Sequence, residues 1–544
     1  MLSKGVPLPA PIRSAESVAI VDPAWGFDVS RPSVNLPLGG TPVSDNYVLL
    51  DGALEQRPTL SLLTNSPHPM GNVAVLGAYE LVTVNNVHQH LVSGTTRHAV
   101  YGQGAAPNEW SLLSYVSTGG VSDPPQLTNS DSWDYAQIYS AEQNENILYM
   151  APSSYQSLYV HVPETQVFST MTGAPQAKFL ASFDNYVLAF NLRQGGQDLV
   201  QRVQWTDRGS ASSWTGGLSG FEDLLSMRGE GTRVLPQDNG VYLFSDEEVW
   251  KGQPTGNGVF VWAFAPYDTS RGCPYSWTAC NTPLGTMFLG KDYQVYLLPK
   301  GGGPSQPIGQ KLHRRIRTTI DFPERAWAAY NNTFQRYELN YAIAGGSGYP
   351  QRAAFLDVTT GAWMPQSYDS AGGGISLSRG AEGQLASSAT TWGGLFAAGL
   401  TWATVSGSWD EMDGRITSKT IFAGSSKGTV YYQDSAGTSD NGTAMPAVWQ
   451  SGALLGDDQT QQKTVTDWRV DYQATTVSKL TVQFSQNQGS SFHSSSVSLP
   501  AISTGSQAEV FPYFGAQYPS FEVWSEGVRH RLQRFYLRFI RGGR

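Results

Sequence analysis

Short runs of aromatic and β-branched residues, separated by turns rich in Gly, Asp and Asn, recur through the whole chain. One copy consists of Val241–Phe244, the turn Ser245–Glu247 and Val249–Trp250. Such runs are typical of short antiparallel strands joined by tight turns. Charged residues make up 15 % of the chain, against about a quarter in an average domain, so few side chains can cover exposed helix faces. The sequence therefore predicts an all-β protein.

Six strand–turn–strand units of this kind lie between residues 65 and 455. They are Ile147–Val162, Tyr186–Trp205, Val241–Trp250, Thr286–Leu298, Ala353–Met364 and Lys419–Tyr432. A propeller blade is a four-stranded sheet, and blade repeats run to about 40–50 residues. We therefore expect residues 65–455 to form a β-propeller of about six irregular blades. A stack of β-sandwiches is the competing interpretation.

The two ends of the chain have different patterns. Residues 1–64 are rich in Pro and contain few alternating runs before Tyr47–Leu50, which predicts an extended N-terminal arm leading into a first strand. Strict alternation of apolar and polar residues begins near Thr464, for example in Asp467–Gln473 and Lys479–Ser485. This pattern predicts a C-terminal β-sandwich over residues 456–544.

Charge and cysteine content limit the classes of partner and compartment. The net charge of −9 disfavours tight binding of nucleic acid, which depends on Lys and Arg. Two cysteines, Cys273 and Cys280, are too few for a disulfide framework or a zinc site, so we expect reduced structural thiols in a protein that folds in the cytoplasm. No signal peptide is expected, because no basic region precedes an apolar core at the N-terminus. The apolar run Trp392–Val405 is shorter than the ~20 residues of a membrane helix, so no membrane span is expected.

Three histidines form the strongest candidate metal site in the sequence. On a strand His88 and His90 would share a face, and a hairpin return would bring His98 beside them. The alternative is a polar strand face exposed to solvent. We interpret the three residues as surface side chains and expect no metal.

Two arginine clusters stand out in this acidic chain. The first contains Lys311, Arg314, Arg315 and Arg317, and the second contains Arg529, Arg531, Arg534, Arg538, Arg541 and Arg544. Each cluster fits either a solvated strand face or a surface that docks an acidic partner or another copy of the chain. Alternation in the second cluster predicts that Arg534 and Arg538 lie on one strand face, opposite a core-facing row formed by Phe535, Leu537 and Phe539.

The sequence contains no recognisable catalytic motif: it has no phosphate-binding loop, dinucleotide fingerprint or nucleophile elbow. We therefore expect no enzyme activity and no cofactor. The alternative function is a carbohydrate-binding or glycan-degrading propeller that recognises a host surface, because Thr206–Trp214 and Ser485–Phe492 resemble the Asp-box turn of sialidases. A sialidase would also need three converging arginines and a Tyr/Glu pair, and the sequence does not assign those roles.

Five segments resemble the tail hub or nozzle proteins of short-tailed bacteriophages, which are also called packaged-DNA stabilisation proteins. In chain order they are Gly39–Leu63, Val203–Gly216, Val234–Trp250, Gly272–Leu312 and Arg531–Phe539. Each segment alone is weakly specific, and their order and spacing cover most of the chain.

The resemblance implies a structural virion protein without catalytic residues. It implies an oligomeric ring, typically of six copies, that continues the DNA-ejection channel below the portal and adaptor and retains packaged DNA. The implied partners are further copies of the chain, the portal–adaptor, a tailspike or fibre, a tail needle or plug, and DNA that passes through the lumen without sequence-specific binding. The implied location is the virion tail, assembled in the cytoplasm of the host bacterium.

Overall fold

The computed structural model describes residues 16–63, 70–102, 109–117, 125–210, 213–237, 239–368, 374–384, 419–454, 462–474, 477–486, 492–527 and 529–541. The structure is 56 % strand and 5 % helix, so the all-β prediction is confirmed. The chain divides into two compact units. The propeller unit contains Pro58–Thr359 and Ser367–Asn441, and the sandwich unit contains Met1–Arg57, Thr360–Gln366 and Gly442–Arg544.

The strands are numbered in chain order. The first group is β1 (Glu16–Val21), β2 (Gly26–Phe27), β3 (Gly40–Thr41), β4 (Val43–Asp45), β5 (Tyr47–Leu50), β6 (Ala53–Gln56) and β7 (Thr59–Leu62). The second group is β8 (Gly77–Val82), β9 (His88–Ser93), β10 (His98–Tyr101), β11 (Trp110–Leu112), β12 (Ser114–Val116), β13 (Trp133–Ser140), β14 (Glu145–Pro152), β15 (Tyr159–His161) and β16 (Val167–Thr170). The third group is β17 (Gln176–Phe183), β18 (Tyr186–Gln194), β19 (Gln197–Trp205), β20 (Gly220–Asp223), β21 (Gly231–Gln237), β22 (Gly240–Ser245), β23 (Val249–Pro254) and β24 (Trp262–Asp268).

The remaining strands complete both units. The fourth group is β25 (Cys280–Thr282), β26 (Gly285–Leu289), β27 (Val295–Pro299), β28 (Gln306–Pro307), β29 (Ile320–Asp321), β30 (Trp327–Asn331), β31 (Arg336–Ile343), β32 (Arg352–Asp357), β33 (Trp363–Ser367), β34 (Leu377–Gln384), β35 (Lys419–Ser425) and β36 (Val430–Asp434). The last group is β37 (Ser439–Asp440), β38 (Thr443–Ala444), β39 (Pro446–Gln450), β40 (Lys463–Ala474), β41 (Ser478–Ser485), β42 (Phe492–Leu499), β43 (Ile502–Val510), β44 (Phe514–Ala516), β45 (Ser520–Glu526) and β46 (His530–Arg541). The described residues also contain one α-helix, α1 (Gln310–Thr319), and four 3₁₀ turns, which are Pro23–Trp25, Ser33–Asn35, Ser276–Thr278 and Pro323–Arg325.

The described part of the propeller unit forms seven sheets, whose inner strands are β8, β13, β17, β21, β25, β30 and β34. The sheets are β8–β11, β13–β16 with β12 parallel to β16, β17–β20, β21–β24, β25–β28, β30–β32 with β29 beside β31, and β34–β36 with β7. The inner strands contact one another in cyclic order, and the last, β34, contacts the first, β8. A closed ring of radial sheets around a central channel is the architecture of a β-propeller.

The seventh sheet closes the ring by combining the two ends of the unit. Strand β7 pairs antiparallel with β36, so that Leu60 lies opposite Gln433. The backbone N–H of Leu60 also donates a hydrogen bond to Asp440 Oδ1 at 2.9 Å. The chain that enters the unit is therefore joined by hydrogen bonds to the chain that leaves it.

Neighbouring sheets enclose apolar clusters. Ile138 and Tyr149 of the second sheet pack with Leu180 and Val187 of the third. Similar clusters lie between the first and second, third and fourth, fourth and fifth, and seventh and first sheets. A strand between two neighbours is buried on both faces, which favours a continuous apolar run instead of alternation. Strand β18 follows this rule, because all its side chains from Tyr186 to Leu192 are buried.

The structure has seven such sheets where the sequence predicted about six blades. Six of them contain the six hairpins found in the sequence, and the seventh is β8–β11. Its strand β9 begins with the polar letters HQH, which resemble a surface strand. His90 is nevertheless buried between Tyr101 and Phe422, so a polar sequence here belongs to a buried blade.

The sandwich unit contains a seven-stranded and a five-stranded sheet. The order of the first is β43–β40–β46–β6–β5, with β1 beside β46 and β44 beside β40, and the order of the second is β4–β39–β45–β41–β42. Their apolar faces meet at an aromatic core in which Trp468 contacts Phe484, Phe521 and Phe535. Because each sheet has one face in this core, its strands alternate between apolar and polar residues.

The N-terminal region differs from the extended arm predicted over residues 1–64. Strands β4, β5 and β6 belong to the two sheets of the sandwich unit, and β7 belongs to the propeller. Tyr47 and Leu54 are almost fully buried, and Tyr47 Oη lies 2.9 Å from His530 Nε2. The sandwich also begins near Gly442 instead of 456, because β39 pairs with β45. The short strands β4, β5 and β6 are therefore part of the sandwich unit. The chain does not divide in N-to-C order into an arm, a propeller and a sandwich, as the sequence predicted.

Among the residues that the structure describes, no helix is long and apolar enough to cross a bilayer. The apolar run Trp392–Val405 lies outside the described residues.

Candidate functional site

The three candidate histidines do not converge. His88 Nδ1 lies 2.9 Å from Glu80 Oε1, and His90 lies on the same strand face but is buried. His98 is paired with Ser93 and therefore points to the opposite face of the sheet from His88 and His90. Within the described residues no group of three potential ligands is close enough to hold a metal ion.

The prediction that these histidines lie on the surface is wrong for two of them. His98 is fully buried, lies 2.7 Å from Ser93 Oγ through Nδ1, and packs edge-on against Trp133 and Phe168. Burial lowers the pKa of His90 to about 4 and that of His98 to about 3, because desolvation disfavours the charged ring. Both side chains are therefore neutral core residues near neutral pH.

The first arginine cluster lies on a helix and not on the expected strand face. Leu312 and Ile316 of α1 are buried, whereas Arg314 and Arg317 are exposed and Arg315 is half-buried. A spacing of four residues places the two apolar side chains on one side of the helix, which leaves the arginines on its outer side.

The second cluster follows the predicted alternation. Phe535, Leu537 and Phe539 are buried, Arg534 is exposed, and Arg538 is half-buried on the outer side of β46. Arg538 Nε lies 4.0 Å from Asp467 Oδ2, so this arginine has an intramolecular carboxylate partner. The pKa of Arg534 is raised through a hydrogen bond with the Tyr536 side chain and through the negative charges of Asp22 and Asp471. Both residues therefore take part in contacts within the unit.

These arginines belong to a larger surface of mixed charge, which we call the arginine face. The face consists of the outward side chains of β1, β46, β40 and β43, namely Val18, Ile20, Arg534, Tyr536, Arg538, Asp467, Arg469, Asp471 and Glu509. Arg469 contacts both Asp467, at 2.9 Å, and Glu509, at 3.4 Å. Val18 and Ile20 lie about half exposed beside these charges. The face thus combines both signs of charge with exposed aliphatic groups.

A cavity of about 360 Å³ lies in the central channel of the propeller unit. Its wall is formed by residues from six of the seven inner strands, and Trp277 from the turn Ser276–Thr278 projects into the same wall. The wall includes several small residues, and a Cβ atom added at Gly380 would lie 2.5 Å from the Trp327 ring. The close approach of the inner strands therefore requires glycine there.

Two β-bulges direct arginines into the cavity wall. The register of β21 shifts between Gly231 and Arg233, and the register of β34 shifts between Leu377 and Arg379. A bulge re-aims the side chain that follows it and is common beside functional sites. The guanidinium carbons of Arg233 and Arg379 lie 4.6 Å and 5.1 Å from the centroid of the Trp277 ring. Two cationic groups therefore contact one aromatic side chain.

The two arginines differ in their partners. Arg233 Nη1 lies 2.7 Å from Asp134 Oδ2, and Asp134 also accepts a hydrogen bond from the backbone N–H of Leu180. Arg379 Nη1 donates to the carbonyl oxygens of Arg325 and Ser378 at 3.0 Å and 2.9 Å. The buried Nε atoms of both Arg233 and Arg379 have no hydrogen-bond partner among the described residues. Two arginines that line the cavity thus each have a buried, unsatisfied Nε–H donor.

The surroundings of Arg379 and Glu382 shift the pKa of both side chains. Burial, followed by the charges of Arg233 and Arg325, lowers the pKa of Arg379 to about 9, which still leaves the group protonated near neutral pH. Across the wall, burial raises the pKa of Glu382, whose carboxylate accepts a hydrogen bond from the backbone N–H of Asn332 at 2.6 Å. The cavity therefore has a cationic part and a carboxyl group on the same inner strand.

Both cysteines carry free thiols in the described structure. Cys273 is buried between the fourth and fifth sheets, and Cys280 lines the cavity. Burial raises the pKa of each thiol to about 12, so neither is a thiolate near neutral pH.

Arg233, Arg379 and Trp277 are not among the candidate site residues predicted from the sequence. A signal was available, because both arginines occupy the third position of an inner strand, in GTR and LSR. A charged residue inside a strand whose neighbouring residues are mostly small or apolar indicates a buried or functional position. Recognising it as a pair requires the cyclic arrangement of the blades, which local pattern does not supply.

No protein-family model matches the chain, and no curated protein matches it. Among solved structures it is similar to an exo-β-1,3-galactanase from Phanerochaete chrysosporium, with 10 % identity, a TM-score of 0.27, and coverage of 88 % of this chain and 100 % of the other. It is also similar to BamB from Moraxella catarrhalis, with 8 % identity, a TM-score of 0.34, and coverage of 64 % and 80 %. A third is PorZ, a surface component of the type-IX secretion system of Porphyromonas gingivalis, with 10 % identity, a TM-score of 0.34, and coverage of 74 % and 43 %. At these values the likenesses carry no argument about function.

Proposed function

We propose that this chain is a structural protein of a phage tail. Six copies form a ring that continues the DNA-ejection channel below the portal and adaptor and helps to retain packaged DNA. Its partners are other copies of itself, the portal–adaptor, a tailspike or fibre, and a tail needle or plug. It needs no cofactor for this work and assembles in the cytoplasm of the host bacterium.

The observation that carries the proposal is the ordered set of five segments that resemble tail hub proteins. These segments occupy elements that build the fold: Gly39–Leu63 includes β7, which closes the propeller, and Arg531–Phe539 forms most of β46, which is paired with β1, β40 and β6. Val234–Trp250 and Gly272–Leu312 cover most of the hairpins of the fourth and fifth blades. A protein that shares these segments with this chain therefore shares strands on which the fold depends.

The arginine face supports contact between copies of the chain. A surface with both signs of charge can be complementary to a surface of mixed charge on another copy, and exposed aliphatic groups add apolar area to such a contact. The residues concerned are Arg534 and Arg469, Asp471 and Glu509, and the half-exposed Val18 and Ile20. We assign this face to the interface between neighbouring copies.

The acidic composition fits passage of DNA. Six copies at −9 each carry −54. Negative charge on a channel wall repels phosphates and so reduces adhesion of the moving duplex. A negatively charged channel wall therefore favours sliding of the DNA duplex over its binding.

Charge reversal on the arginine face is expected to prevent ring formation without unfolding the chain. Arg534→Glu places a third negative group near Asp22 and Asp471, and at an interface it opposes docking. We expect the hexamer fraction in native mass spectrometry to fall roughly tenfold or more at a fixed concentration, while the melting temperature stays within a few degrees.

The matched control is Lys479→Glu, which makes the same charge change at an exposed position of β41 in the other sheet of the sandwich unit. It is expected to form rings as the unchanged protein does. Equal loss of assembly in both variants, or undiminished assembly of Arg534→Glu, would contradict the assignment of the interface.

A further inference from the structure

Two arginines in the wall of the central cavity carry buried N–H donors that lack acceptors among the described residues. Arg379 has no carboxylate partner within ion-pair distance among the described residues, and its buried Nε makes no hydrogen bond there. The buried Nε of Arg233 also makes no hydrogen bond among the described residues, although Asp134 Oδ2 lies 2.7 Å from Nη1 of the same side chain. A buried guanidinium with unsatisfied donors is costly unless an acceptor completes it. The wall therefore has a deficit of acceptor groups.

The two guanidinium groups also repel each other. They lie on one indole ring, at 4.6 Å and 5.1 Å from its centroid, and Asp134 is in ion-pair contact with Arg233 alone. Arg325 adds a third positive charge that acts on Arg379. An anion in the cavity beside Arg233 and Arg379 would offset this repulsion and offer acceptors to their guanidinium N–H groups.

The volume of the cavity fits a small ligand. A volume of about 360 Å³ lies at the lower end of the range for small-molecule pockets, which is roughly 300–1,000 Å³. The walls are inner strands of the propeller, and Gly380 and Ala381 leave the space open. A chain of net charge −9 also disfavours a large polyanion.

We propose that the central cavity of the propeller unit binds a small carboxylate anion beside Arg233 and Arg379. The planar carboxylate matches the fork of N–H donors that a guanidinium presents, as the Asp134–Arg233 contact already illustrates. This site is separate from the arginine face, and its existence does not depend on ring assembly.

The opposite part of the wall favours hydroxyl groups on the same ligand. Glu382 lies three residues after Arg379 on β34, which corresponds to about 10 Å along a strand. Its carboxyl group accepts hydrogen bonds from Asn332, and both residues belong to the cavity wall. A carboxyl group accepts hydrogen bonds from hydroxyls, so a hydroxylated acid fits better than a simple one. Sugar acids and small hydroxy acids share this chemistry.

Isothermal titration calorimetry on the full chain tests the site with five probes at equal ionic strength: sodium glucuronate, lactate, acetate and sulfate, and uncharged glucose. Glucuronate is expected to bind most tightly, lactate and acetate more weakly, and glucose and sulfate not measurably at about 20 mM. Tighter binding of glucuronate than of lactate assigns the site to sugar acids, and the reverse assigns it to small hydroxy acids. Either order supports the proposal.

Variants locate the site. Arg379→Gln is expected to weaken carboxylate binding at least tenfold, whereas Arg208→Gln, which breaks an exposed pair with Asp184, is expected to leave it unchanged. Undetectable carboxylate binding by the unchanged protein, glucose binding equal to glucuronate, sulfate binding equal to or tighter than the carboxylates, or no effect of Arg379→Gln would each overturn the proposal. If Arg379→Gln does not fold, Arg379→Lys, which keeps the charge but loses the planar fork, is expected to bind several-fold more weakly. Unchanged binding by Arg379→Lys would then overturn it.

Discussion

Replacing Arg336 with Met is expected to destabilise the propeller unit by about 3–5 kcal/mol. Arg336 Nε lies 3.9 Å from Glu338 Oε1, and the two side chains are 3 % and 1 % exposed. Removal of Arg336 leaves Glu338, whose pKa burial already raises, as a buried carboxylate without this positive charge beside it. The free energy of local unfolding can be measured by hydrogen exchange on peptides from β30, β31 and β32.

Two further variants distinguish the loss of stability caused by an unpaired buried charge from the loss caused by any arginine substitution. Arg202→Met breaks an ion pair of 2.6 Å with Asp223 near the surface, and we expect about 0–1 kcal/mol. Arg336→Met combined with Glu338→Gln removes the buried charge while keeping an amide that can bond Asn331 and Gln433, which now contact Glu338. The double variant is expected to recover more than half of the lost stability. A loss in the Arg336→Met variant no larger than in Arg202→Met would show that the buried pair has no special role.

Replacing Trp468 with Ala is expected to destabilise the sandwich unit by about 3–5 kcal/mol. Trp468 is fully buried at the contact of the two sheets, with ring centroids of Phe521 and Phe535 at 5.8 Å and 6.0 Å. Truncation leaves a cavity that neighbouring strands cannot fill completely. Hydrogen exchange in peptides from β40 and β46 reports the change.

The control for Trp468 is the same substitution at an exposed site. Trp524 lies on β45 and is 41 % exposed, so Trp524→Ala is expected to cost about 1 kcal/mol or less. Comparable losses at both positions would mean that the aromatic core is not the source of stability in this unit.

The all-β class and the hairpins of six blades could be predicted from the sequence because each hairpin carries its own local signal. Runs such as Val241–Phe244 are apolar over their whole length, as strands buried on both faces require. The blade β8–β11 lacked that signal, because His90 and His98 are polar in sequence and neutral in the core. Burial by Phe422 and Trp133 depends on distant parts of the chain and is not visible locally.

Other differences have similar physical causes. The spacing of Leu312 and Ile316 fits the helix α1, whereas the sequence prediction for the neighbouring arginines was either a solvated strand face or a docking surface. The assignment of residues 43–56 to the sandwich depends on pairing with β39 and β46, which lie about 400 or more residues away in the chain. The cavity arginines depend on both bulges and ring closure. Local sequence pattern therefore could not predict the features that depend on strand pairing between distant parts of the chain.

Electron microscopy of the purified full-length chain tests the proposed function most directly. Class averages are expected to show rings of six copies around an open central lumen, and the same averages of Arg534→Glu are expected to show single copies. Single copies alone in the unchanged protein, at concentrations where native mass spectrometry detects no hexamer, would contradict the proposal that this chain builds a tail channel.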